Sequence, residues 1–411
     1  MRIALCHAAA ILMLAVGVVP VVEGARPDHV DLAANQTPLR KQGSRGSCIV
    51  FAATAALEAA YHRAGYGELD LSEEFLNHLG KMLWLDPKLS KGEAPNEDIR
   101  EGQVGAFAGG DGVQYLERLA HGLRVPPDAS MPYHPRSFTS QDHPYLVNKW
   151  NAPFWTQRRV DDVNFDTGFL PPAALAQPLY YSVKQFARIG GTDIDAIEAA
   201  LAGGREVVWD FHVAGNRGQG AIIWTTCSPG QERCVKGTSH AVLIIGYDRR
   251  DPDPRNHYFL IKNSWGATKW PDGYTRISYD YVRAYGSNAG YIIDVNRPGP
   301  WPELAFIGRW NLAFEGHLGF LDVYHIPGIG QWLLDQKAGR MKDMRIGTYY
   351  DEKGRGYRVN GRMAASRIEF YVDPRNPAAS YDQIGGKRFT YTIEEMTDKL
   401  GRVRLGAGAA P

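Results

Sequence analysis

The 411 residues, 44% apolar and 22% charged, give a chain long enough for two or three globular domains. Its formal net charge is +1, with 46 basic against 45 acidic side chains, which excludes nucleic-acid binding by bulk electrostatics. Four cysteines are too few for a disulfide scaffold, while 45 glycines and 25 prolines predict a loop-rich fold with much strand.

Residues 1–24 read as a secretory signal. A basic start (Met1, Arg2) precedes an apolar run over 3–22, and Val22-Glu23-Gly24 offers a cleavage site. An uncleaved anchor is the rival reading, against which Pro20 and His7 weaken a stable span. No other stretch approaches ~18 apolar residues, so no stable membrane insertion is expected after cleavage, and the chain is expected to be secreted or periplasmic. Cys6 would leave with the signal.

Further along, Ser47 can cap a helix over 48–63 that is apolar on nearly every face and therefore buried. Helices are expected over 72–85, 112–121 and 193–202, and a strand over 206–213. The stretch 125–190 is Pro- and aromatic-rich without periodicity and reads as long surface loops. Residues 241–247 form a continuous apolar run, hence a buried strand. A turn-rich loop over 248–256 then leads to a second strand over 258–262. The Pro/Gly cluster 296–302 marks a domain boundary. Alternating runs follow at 307–314, 318–324, 345–350, 357–362, 367–372 and 388–393. They predict an antiparallel meander forming a small all-β barrel or sandwich domain over 300–411. The basic residues scattered over 337–367 read as a solvated face of that domain.

Cys48 opens the buried helix, where the macrodipole and unpaired amides bias a thiol toward thiolate. Folding 241–247 and 258–262 as a hairpin makes His240, at the start of one strand, a neighbour of Asn263, at the end of the other. A histidine oriented by an amide and facing a helix-terminal cysteine is a nucleophile–base–orienter set.

These residues carry a resemblance. Gln42-Gly43-Ser44-Arg45-Gly46-Ser47-Cys48 resembles the active-site segment of papain-like cysteine peptidases. In the family's order there follow Leu71-Ser72-Glu73-Glu74, Gly109-Gly110, Ser239-His240-Ala241-Val242 and Lys262-Asn263-Ser264-Trp265-Gly266, with Trp270 and Asp272-Gly273-Tyr274 behind. The resemblance implies an α+β fold with a helical lobe and a β lobe over 25–299, and activity on peptide or protein substrates. It implies Cys48 as nucleophile, His240 as general base and acid, Asn263 as orienter and Gln42 as an oxyanion donor beside the Cys48 amide. Trp265 would shield the Asn263–His240 bond, and Trp265 and Trp270 are implied as substrate-binding residues. Gly109 and Gly110 would pair with substrate backbone, a mere turn being the alternative reading. Counting on from Ala289-Gly290 places Asp294 at the floor of the pocket for the second residue before the cut, where it would accept Arg or Lys; one residue of register error would instead turn it to solvent in the lead-in to 298–302. No cofactor or metal is implied.

The departures carry their own expectations. His240 lies 192 residues after Cys48, against ~130–150 usual in the family, so roughly 50 residues are inserted. Arg45 stands where the family has a cysteine and is expected beside the cleft, and Ile49 replaces a tryptophan. Only a short stretch separates the signal from Gln42, so no inhibitory propeptide is expected there. The strand domain at the C-terminus is a candidate for control, or for docking a ligand or substrate. Cys227 and Cys234 flank a turn able to join them as a disulfide, or stay free thiols. Alternatives to a secreted thiol endopeptidase are an amidase or transpeptidase using the same residues, and a binding protein on the same fold without turnover.

Overall fold

The computed structural model describes residues 26–80, 110–136, 174, 176–214, 223–227, 238–266 and 273–301, together with the backbone of strands between 305 and 403. Helix α1 (Cys48–Arg63) starts at the residue the sequence predicts. Thirteen of its residues are buried, so it has no polar face to turn to solvent. Ser47 occupies the N-cap position but makes no side-chain cap. Its hydroxyl instead meets the Tyr133 hydroxyl at 2.5 Å, a partner 86 residues away. Residues 73–80 are also helical, as is α2 (Gly112–Ala120), which Asp111 caps through the amide of Gln114.

Strand β5 (Ser239–Asp248) explains the continuous apolar run, because both its faces are covered. Ala241, Leu243 and Ile245 join a core with α1 and α2. Val242 and Ile244 join a second core with Trp209, α3 (Ile194–Ala202) and α4 (Tyr279–Tyr285). The Val, Leu and Ile side chains among them, at most 1% exposed, each contribute about 1.5–3 kcal/mol of burial. The sheet dividing the two cores runs in order β2 (Val183–Gly190), β8 (Gly286–Val295), β3 (Val207–His212), β5, β6 (Tyr258–Lys262), β7 (Thr275–Ser278) and β4 (Ile223–Trp224). Strand β1 (His29–Asp31) also pairs with β5. The pairings are antiparallel except β4 with β7.

Strand β2 corrects the reading of 125–190 as loops throughout. It lies at the sheet edge with only Val183 buried, so it lacks the alternation by which a half-buried strand is recognised. The Pro/Gly cluster is not a free tether either. Tyr180 and Gly299 exchange backbone hydrogen bonds, and Trp301, 4% exposed, packs edge-on against Tyr180 in the first core.

Beyond it lie β9 (Ala305–Phe314), β10 (His317–His325), β11 (Met344–Asp351), β12 (Gly356–Ala364), β13 (Arg367–Val372), β14 (Arg388–Thr392) and β15 (Arg402–Val403). The first six pair with their chain neighbours, and β15 returns antiparallel to β9. Residues 1–24 lie outside the described residues. No helix among the described residues is long and apolar enough to cross a membrane.

Candidate active site

The β5–β6 register pairs Leu243 with Lys262, which carries Asn263 just past the strand end and back to His240. His240 Nε2 and Asn263 Oδ1 are 3.0 Å apart, and both residues are buried. The same oxygen accepts the Ser264 backbone N–H at 2.8 Å. The Trp265 ring stacks on the imidazole, with centroids 4.7 Å apart and planes 25° apart. Phe211, cross-strand from His240, presents its ring edge-on to the imidazole at 5.6 Å.

Gln42 is tied into the same loop. Its backbone N–H donates to Ser264 O at 2.8 Å, and Ser264 Oγ donates to Gln42 Oε1 at 2.5 Å. Its Nε2 donates to Arg45 O at 2.7 Å, using one of the two amide hydrogens and leaving one for an oxyanion. Ser264 was quoted in the sequence motif without a role; it is the residue that joins the oxyanion side to the imidazole side. Gly43 has φ +68°, and a Cβ there would lie 1.7 Å from Pro135 O, the acceptor of the Ser44 N–H. Only glycine fits this turn.

Cys48 is outside any disulfide, 6% exposed, at the first position of α1. A helix N-terminus presents amides and positive potential to its sulfur, which favours the thiolate. The loop before it is clamped by Tyr133, whose hydroxyl donates to Gln42 O at 2.8 Å and therefore accepts from Ser47 Oγ. Nothing in the aperiodic stretch around Tyr133 marked it for this task.

Arg45 is not beside an open cleft as expected; it is 2% exposed. Its guanidinium meets both oxygens of Glu74, at 2.5 and 2.8 Å, donates to His134 O at 2.8 Å and lies over the Tyr133 ring. His78 Nε2 lies 3.0 Å from Glu74 Oε1. Burial would push the Glu74 carboxyl up, but Arg45 and His78 overcome it and hold the carboxyl at about 2. Below Asn263, Lys262 Nζ donates to Thr37 O and Oγ1, and Thr37 donates to Glu58. Burial pushes Lys262 down to about 8.

The remaining expected site residues divide. Gly110 is described and exposed, next to the capping Asp111, whereas Gly109, Trp270 and Cys234 lie outside the described residues. Cys227 is disulfide-bonded. Asp294 does not reach the site. It is ion-paired with Lys184 at 2.7 Å on an exposed face of β8. The end of β8 near the site is Gly286, which pairs with Phe211, and Asp294 lies eight residues beyond it, roughly 26 Å along the strand. Among carboxylates the sequence did not single out is Asp210 on β3, cross-strand from Ala241. It accepts the N–H groups of Gly112 and Val113 at the start of α2 and neighbours Asp111. No group of metal-binding side chains occurs among the described residues. The arrangement suits nucleophilic attack on a carbonyl, with an oriented imidazole and an amide donor for the oxyanion.

A model described as "Papain family cysteine protease" matches residues 174–293. The chain is similar to "Thiol protease aleurain-like" from Arabidopsis thaliana, 24% identical over 62% of this chain and 57% of the relative. It is also similar to "Cathepsin J" from Mus musculus, 26% identical over 62% and 61%. The chain thus spans less than two thirds of the length of these relatives. Among solved structures it is similar to xylellain, a cysteine protease from Xylella fastidiosa. That match has 23% identity and a TM-score of 0.44, covering 66% of this chain and 88% of that one.

Proposed function

We propose that the chain is an extracytoplasmic thiol endopeptidase acting on peptide or protein substrates. The observation that carries this reading is the hydrogen-bonded circuit Gln42–Ser264–Asn263–His240, laid against the loop that leads into Cys48. Cys48 Sγ attacks the scissile carbonyl carbon, and Gln42 Nε2 and the Cys48 amide receive the oxyanion. The imidazolium of His240 protonates the leaving amine, and a thioester remains. His240 then takes a proton from water, which attacks the thioester and releases the acid, returning Cys48 as thiolate with His240 protonated. The relatives named as thiol protease and cathepsin support the same chemistry.

In this reading residues 1–24 are a cleaved signal and the catalytic body ends near residue 300. The strands β9–β15 form a separate C-terminal domain that controls access or docks substrate. The partner of Cys227 is Cys234. The test is exposure of the protein to a peptidyl epoxide, with mass spectrometry to find the labelled residue and a fluorogenic peptide to follow turnover. Labelling at Cys48 and loss of both signals in Cys48→Ala are expected; peptide hydrolysis surviving in Cys48→Ala overturns the proposal.

A further inference from the structure

The buried Arg45 has no place in the chemistry above, yet it lies between the two halves of the oxyanion machinery. Its backbone carbonyl is the acceptor that aims Gln42 Nε2, at 2.7 Å. Its side chain is anchored in a different element, the helical segment 73–80, through both oxygens of Glu74. A bidentate guanidinium–carboxylate pair has one geometry, unlike a point-charge contact, so the anchor fixes the direction of the side chain and with it the Arg45 peptide. Glu74 is itself held by the His134 N–H at 3.2 Å and by His78, so the anchor cannot swivel. The Arg45 carbonyl accepts one Nε2 hydrogen of Gln42 and Ser264 Oγ donates to its Oε1, which defines the amide plane and the direction of the second hydrogen.

We infer that Arg45 is a positioning residue for oxyanion stabilisation, its ion pair with Glu74 holding its own carbonyl where it orients the Gln42 amide. The inference rests on the thiol-peptidase reading. It concerns the oxyanion donor alone, and the nucleophile is formed without it. Arg45 never touches substrate, so its loss costs transition-state stabilisation while ground-state binding and thiolate reactivity stay as they were.

The experiment uses Arg45→Met and, because a lone buried Glu74 charge is costly to folding, the double variant Arg45→Met/Glu74→Met, which removes both charges together. Three quantities are measured in each: kcat and KM on a fluorogenic peptide, the inhibition constant of a peptide aldehyde whose hemithioacetal places an oxyanion in the site, and the alkylation rate of Cys48 by iodoacetamide. Expected are a fall in kcat of about 10–100-fold with KM within twofold, and a parallel loss of aldehyde affinity. Alkylation should proceed at the wild-type rate. Adding either change to Gln42→Ala should cost nothing further. Unchanged kcat and aldehyde affinity in the folded double variant overturn the inference, as does a loss additive with Gln42→Ala. If the wild-type protein fails to cleave peptides, the peptidase reading falls, while aldehyde affinity still tests Arg45 without turnover.

Discussion

Asn263 Oδ1 accepts from His240 Nε2 at 3.0 Å and from the Ser264 backbone N–H at 2.8 Å. The backbone donor determines that the oxygen, not the nitrogen, of the carboxamide faces the ring, so Nε2 must carry a hydrogen. In the neutral ring this leaves Nδ1 as the basic nitrogen, the tautomer a base for Cys48 needs.

Cys48→Ala and His240→Ala are therefore expected to abolish peptide hydrolysis, as members of one unit. Asn263→Ala should be milder, because the rings of Trp265 and Phe211 still pack against the imidazole. Steady-state kinetics on one peptide checks the ranking. An Asn263→Ala loss as large as that of His240→Ala would show that packing does not hold the ring.

Gln42→Ala should lower kcat by about 10²–10³-fold, the size found for one oxyanion donor. Ser264→Ala should cost less, since it frees the amide oxygen but leaves the bond from Nε2 to Arg45 O. Comparison of kcat at matched KM decides this.

Acid should release the Arg45–Glu74 anchor. Glu74 sits at about 2 in the folded chain against an ordinary 4.5. Its contribution is complete above about pH 4.5 and is lost as the pH falls toward 2; its size is on the order of 3 kcal/mol. Urea unfolding between pH 6 and 3 should show stability falling with acid, and the slope should flatten in Arg45→Met/Glu74→Met.

Asp210 predicts the opposite slope. Burial first, and then the neighbouring Asp111, push its carboxyl well above the ordinary 3.8. The folded state thus holds this proton more tightly, so stability is complete below about pH 4 and declines as the pH rises through the folded value. Asp210→Asn should remove that decline in the same unfolding series. A variant with the wild-type slope above pH 4 would assign the titration elsewhere.

Asp294→Ala should leave the substrate profile untouched, because the carboxylate pairs with Lys184 at the surface and lies far along β8 from His240. A substrate library read with both proteins checks this; selective loss of substrates with Arg or Lys before the cut in the variant would contradict the placement.

What the sequence by itself determined are the features written in short-range periodicity: the all-apolar α1 beginning at Cys48, the unbroken run of β5, and β6 ending at Lys262, just before Asn263. These follow from local rules, because a face buried on both sides leaves no polar alternation and a hairpin has one simple register. The meeting of His240 and Asn263 follows from the same hairpin. Only the tertiary structure decided which distant groups would satisfy the polar atoms buried with them. Ser47 would cap α1 by local rules, but Tyr133 offers a partner within the core. Arg45 would be solvated by composition, yet Glu74, 29 residues on, gives its charge a buried match. Asp294 counts into a pocket by analogy, but the pairing of β2 with β8 sets it beside Lys184. In each case a hydrogen bond or ion pair costs too much to leave unmade in the interior, and its partner is chosen by packing across the chain rather than by spacing along it.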